Sequence, residues 1–105
     1  MKIVKLLASI AYLLPVASTF AEDQWSQFRG PGGNGHSQST ALPLEWDDRN
    51  IVWKTPIHDR GWSSPVIWND QVWMTTATKE GHKLFAVCVD RKTGKVIHDL
   101  LIFEV

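Results

Sequence analysis

The sequence predicts an all-β chain organised around one four-stranded antiparallel sheet, and three observations carry that prediction. From residue 61 onward, four short apolar runs are separated by turn signals. Inside each run the apolar residues recur at the period of two that a half-buried strand requires. The run from Leu84 to Val89 is apolar on both faces, as a strand covered on two sides needs to be and a solvent-facing sheet would avoid. Such a sheet is a propeller blade in form, and a single blade cannot bury its own apolar faces. The organisation expected is a signal segment over 1–21, an extended glycine-rich strap with a closing strand over 22–60, and one blade of an incomplete propeller over 61–105.

Met1 to Ala21 reads as a signal-peptide helix. Lys2 and Lys5 make a positive start, Leu6 to Leu14 is an apolar run too short to span a bilayer, and Pro15 to Ala21 is small and weakly polar. Thr19 and Ala21 stand three residues and one residue before the cut, which places cleavage after Ala21. The product is then periplasmic or secreted, with no membrane span after cleavage. No cysteine lies near the cut for a lipid to attach to.

Removing 21 of the 105 residues leaves 84, and Lys2 and Lys5 leave with them, so nine basic residues face eleven acidic ones. No basic block survives, which excludes nucleic acid and anionic membrane surfaces as expected partners, since both call for concentrated positive charge. A chain of this size needs a compact core or covalent staples. Cys88 is the one cysteine and sits in an apolar strand pattern, so it reads as a small buried hydrophobe.

Within the strap, Gly30, Gly32 and Gly35 have the spacing of a dinucleotide-binding loop. The context argues against that chemistry: no buried strand precedes them, Pro31 lies among them, and no helix follows over Ser37 to Leu44. The reading kept is a strap whose Trp25 and Phe28 dock on a larger body. His36, His58, His82 and His98 fit no standard ligand spacing and read as isolated surface or turn residues. Leu42 to Trp46 is a short apolar piece, and Asp47 to Asn50 a polar turn. Ile51, Trp53 and Thr55 then alternate as in a strand that Pro56 stops, a strand suited to completing the sheet made by the end of the chain.

The first strand of the blade is expected over Ser64 to Trp68, with Pro65 tolerated at its start. Asn69-Asp70 is a tight-turn pair leading into Gln71 to Ala77. A longer loop over Thr78 to Lys83 leads to Leu84 to Val89, where Leu84, Ala86 and Cys88 lie on one face and Phe85, Val87 and Val89 on the other. In the turn that follows, Asp90 accepts from the backbone beyond it, Thr93 adds a hydroxyl, and Gly94 supplies the left-handed residue that returns the chain into Lys95 to Phe103.

Leu84-Phe-Ala-Val-Cys-Val-Asp-Arg-Lys-Thr-Gly-Lys95 resembles the repeat of the pyrroloquinoline-quinone-like (PQQ-like) β-propellers, Ala-x-Asp-x-x-Thr-Gly-Lys-x-x-Trp. Asp90, Thr93, Gly94 and Lys95 match the repeat turn; Cys88 stands where the pattern has alanine and His98 where it has tryptophan. Trp25-Ser-Gln-Phe-Arg-Gly-Pro31, Trp53-Lys-Thr-Pro56 and Gly61-Trp-Ser-Ser-Pro65 are similar to the start of exported bacterial members. The resemblance covers nearly all of the chain after Ala21 but holds one repeat. It implies that position 98 docks against a neighbouring blade, and the smaller histidine ring weakens that contact without abolishing it.

The family contains both cofactor-free scaffolds and enzymes, and the fold does not choose between them. The expected function is a non-catalytic interaction scaffold whose partners are the remaining propeller blades or another protein. The alternative is a fragment of a quinoprotein alcohol or sugar dehydrogenase, which would hold PQQ and calcium on the propeller axis and use an axial aspartate as base. No residue of this chain matches that aspartate or the calcium ligands, so no catalytic, cofactor-binding or metal residue is assigned. Leu101 to Val105 ends on an apolar strand without turn or polar tail, which reads as the end of a truncated product or N-terminal fragment.

Overall fold

A computed structural model describes residues 24–105; the expected signal segment and its cleavage after Ala21 lie outside the described residues. The chain from residue 66 forms four strands, β1 (Val66–Trp68), β2 (Gln71–Ala77), β3 (Lys83–Asp90) and β4 (Val96–Glu104). They make one sheet in the order β1-β2-β3-β4, and every neighbouring pair is antiparallel. The four apolar runs are thus four strands joined by three consecutive hairpins. Among the described residues the sole helical piece is a 3₁₀ turn at Asp48–Asn50, and no helix is long and apolar enough to cross a membrane.

β1 begins two residues later than its apolar pattern suggests. Pro65 has no N–H to give to a ladder, and ahead of it the pairing with β2 passes to a side chain. Ser63 Oγ accepts from Thr75 N at 2.8 Å and donates to Thr75 O at 3.3 Å. Further back, Arg60 and Ala77 exchange backbone hydrogen bonds of 3.0 and 3.2 Å. The outer edge of β1 is closed by Trp25, whose N–H and C=O pair with Ile67 at 2.8 and 2.9 Å. Trp25 thus pairs with the chain's own β1, whereas Phe28 stays exposed.

The register sorts the side chains onto two faces. Val72 opposite Val89 and Met74 opposite Val87 share the first face with Thr76 and Phe85. Trp73 opposite Cys88 and Thr75 opposite Ala86 share the second, which His98 joins through its pairing with Cys88. β4 is irregular: the register against β3 shifts twice, and Ile97 and Ile102 are the unpaired extra residues. Among the described residues other than glycine, Thr76, Val87, Cys88 and Val89 are the ones almost wholly buried, so the core is a small patch at the centre of β2 and β3.

The closing strand expected over Ile51 to Pro56 is not part of the sheet. Its alternation is real, with Ile51, Trp53, Thr55 and Ile57 half-buried and Val52, Lys54 and Pro56 exposed. The segment nevertheless crosses over the first face instead of running beside an edge. Side chains, not backbone groups, make its links: Trp53 Nε1 donates to Arg91 O at 2.9 Å, and Thr55 Oγ1 donates to Gly94 O. Farther along, Thr76 Oγ1 donates to His58 O at 2.6 Å. A period of two reports which side of an extended chain is covered. It does not report whether a strand edge or a sheet face provides the cover.

Candidate functional site

The Asp90–Lys95 turn that joins β3 to β4 holds four of the residues singled out in the sequence. Asp90 Oδ1 accepts from Lys92 N at 2.9 Å, Thr93 N at 2.8 Å and Thr93 Oγ1 at 2.9 Å. Those bonds, the Thr93 amide first and its hydroxyl second, hold the Asp90 carboxyl below the usual aspartate range. Gly94 N donates to Asp90 O at 2.8 Å, and Asp90 N donates to Lys95 O at 2.8 Å, which closes the turn. Gly94 is buried and has φ 72°; an added Cβ would lie 2.6 Å from the Trp53 ring. The glycine thus serves two needs, the left-handed backbone and the close approach of the indole.

The cations beside this turn have partners as well. Lys92 Nζ meets Asp70 Oδ2 at 3.1 Å, and Arg91 reaches the other Asp70 oxygen at 3.7 Å. Both pairs join the β3–β4 turn to the β1–β2 turn at the same end of the sheet. Beside them an open hollow of about 310 Å³ is lined by Asp90, Thr93, Lys95, Val96 and Ile97. Its carboxylate is already committed to the turn, so this end of the sheet is built to hold its own shape.

Position 98 lies on the second face, where the His98 ring stacks on Trp73 at 5.7 Å between centroids and 16° between planes. Trp73 and His98 each pair across a strand with Cys88, so the two rings lean together over the cysteine. Cys88 is fully covered, and burial pushes its thiol upward in pKa. Cys88 therefore has the surroundings of an inert core residue.

His58 was not expected to have partners, and the structure corrects that. Its Nδ1 lies 2.6 Å from Asp59 Oδ2 and its Nε2 lies 3.0 Å from Asp99 Oδ1. The ring also meets Phe85 edge-on at 4.8 Å. Asp99 comes from β4, 41 residues away, so no spacing rule could pair it with His58. His82 Nδ1 lies 3.1 Å from Val105 O, just past β4.

The glycine run in the strap is accounted for locally. Gly30 N donates to Gln27 O, Gly33 N to Gly30 O and Gly35 N to Arg29 O, so these amides close turns of their own. The Trp25 ring lies on Gly30, where a Cβ would approach it to 2.6 Å. Among the described residues, no three His, Cys, Asp or Glu side chains are grouped so as to hold a metal ion.

The most exposed apolar element is β4. All nine of its residues are exposed, and Val96, Ile97, Leu100, Leu101, Ile102 and Phe103 each show between 42 % and 54 % of their surface. Among the described residues its outer edge has no neighbouring strand in the sheet order. In comparisons with known proteins, no family model, curated protein or solved structure matches this chain.

Proposed function

We propose that this chain is an exported PQQ-like propeller blade with a non-catalytic role as an interaction scaffold. The observation that carries the reading is β4: six large apolar residues stand half-exposed on an edge strand whose outer side meets no strand among the described residues. An open apolar edge is an aggregation hazard unless further strands or another protein cover it. The turn supports the same reading, since Asp90, Thr93 and Gly94 stiffen the hairpin instead of presenting free groups for chemistry. Export is part of the proposal and rests on the signal-like residues up to Ala21.

Crosslinking in periplasmic and secreted fractions of the source tests the role. The scaffold reading expects a defined partner whose capture is lost in Leu100→Lys, because a charge on the β4 face opposes burial. A clean monomer in crosslinked extracts overturns it. Dye-linked alcohol oxidation on adding PQQ and calcium would instead establish the quinoprotein dehydrogenase reading.

A further inference from the structure

A neutral imidazole carries one N–H, whereas an imidazolium carries two. His58 has a carboxylate at each ring nitrogen, Asp59 at 2.6 Å and Asp99 at 3.0 Å. Only the protonated ring donates to both; in the neutral ring one nitrogen lone pair would face a carboxylate oxygen. The two carboxylates also belong to different parts of the chain. Asp59 adjoins His58, and Asp99 lies on β4.

We infer that His58 is a proton-operated latch: as an imidazolium it ties the 51–60 segment to β4 through Asp99, and on losing its proton it releases β4 while keeping Asp59. The bond to Asp59 survives because it joins adjacent residues and is the shorter of the two, whereas the bond to Asp99 closes a loop of 41 residues.

The groups around the ring are consistent with this assignment. From β3 it meets the Phe85 ring, and from β2 the Thr76 hydroxyl binds its backbone carbonyl, neither of which titrates near neutrality. Arg60, two residues on, has its guanidinium 6.0 Å from the Trp62 ring centroid. Lys83 and Glu104 pair with each other at 3.2 Å at the end of the β3–β4 hairpin. Asp59 and Asp99 are thus the charges that act on His58, Asp59 first, and they raise its pKa above the ordinary histidine value. With the folded value raised, the tie is fully present below the unfolded value of about 6.5 and is lost as pH rises through the folded one. The ring is partly exposed, so solvent and salt weaken the tie.

The release uncovers part of the first face without unfolding the sheet. The covering segment is anchored at one end by Trp53 and Thr55, at the His58 carbonyl by the Thr76 hydroxyl, and at the other end by the Arg60–Ala77 pair. Loss of the Asp99 contact leaves the Thr76 bond in place and therefore loosens the His58 ring and the Arg60 end of the cover, beside the exposed β4.

Ring-nitrogen NMR titration of the full chain tests the latch, together with hydrogen exchange at the Arg60 and Ala77 amides corrected for intrinsic base catalysis. His58 is expected to titrate above about 6.5 in the wild type and lower in Asp99→Asn. Exchange at the two amides is expected to rise on the order of tenfold through the His58 midpoint, and to be fast and free of that step in Asp99→Asn and His58→Gln. An ordinary histidine value in the wild type, or exchange with no step, overturns the proposal. Uniform loss of protection throughout β2 and β3 in both variants means a structural role and overturns it equally.

Discussion

The Trp53 ring lies so close to Gly94 that a Cβ on the glycine would fall 2.6 Å from ring carbons Cδ2 and Cε3. The same indole donates from Nε1 to Arg91 O at 2.9 Å, so one side chain from the covering segment reads the shape of the β3–β4 turn at two points. The turn and the segment that crosses the sheet are therefore one packing unit, although 41 positions separate Trp53 from Gly94.

Gly94→Ala places a side chain in a left-handed backbone and into the indole. The expected loss is about 2 kcal/mol or more, from backbone strain together with the clash. A urea melt followed by tryptophan fluorescence measures it. An unchanged midpoint would mean that the Trp53 contact yields without cost.

Thr76 is buried, and its hydroxyl donates to the His58 carbonyl at 2.6 Å. Thr76→Val keeps the shape of the side chain and removes the donor. The expected loss is about 1–2 kcal/mol, since the carbonyl is left without that partner. Thermal unfolding of the two proteins side by side decides it, and equal stability would show that water replaces the hydroxyl.

The Asp90 carboxyl is held below its ordinary pKa by the Thr93 amide, the Thr93 hydroxyl and the Lys92 amide. A depressed folded value contributes stability that is present above the unfolded value of about 3.9 and is lost as pH falls through the folded one. Asp90→Asn is therefore expected to flatten the acid limb of the stability profile, measured by denaturant melts from neutral pH downward. A parallel profile in the variant would place the acid sensitivity elsewhere.

Cys88 is covered by the Trp73–His98 stack. In the native protein its thiol is expected to resist an aromatic disulfide reagent and to react once the chain is unfolded. Trp73→Ala removes half of the cover and is expected to speed labelling roughly tenfold, equivalent to about 1.4 kcal/mol of lost protection. Labelling at the wild-type rate would show that β3 itself, not the indole, shields the sulfur.

Much of the sheet was legible because its signals are local. The alternation in Gln71–Ala77 and Lys83–Asp90 sorts side chains to two faces through the pleat alone, and the observed pairings of Val72 with Val89 and Trp73 with Cys88 follow that sorting. The Asp90–Lys95 turn was legible for the same reason, since Asp90, Thr93 and Gly94 bond to groups within five residues. Ile97 and Ile102 were not, because an extra residue in β4 is defined by the strand beside it and not by its own neighbours.

The sequence by itself determined the β class, the faces of β2 and β3 and the chemistry of the β3–β4 turn, all of which depend on contacts a few residues long. Only the tertiary structure decided that Ile51 to Pro56 crosses the sheet, that His98 lies on Trp73, and that His58 stands between Asp59 and Asp99. The physical reason is that an extended segment exposes the same alternation to an edge or to a face. Which one it meets is set by distant donors and acceptors: the indole of Trp53, the hydroxyl of Thr76 and the carboxylate of Asp99.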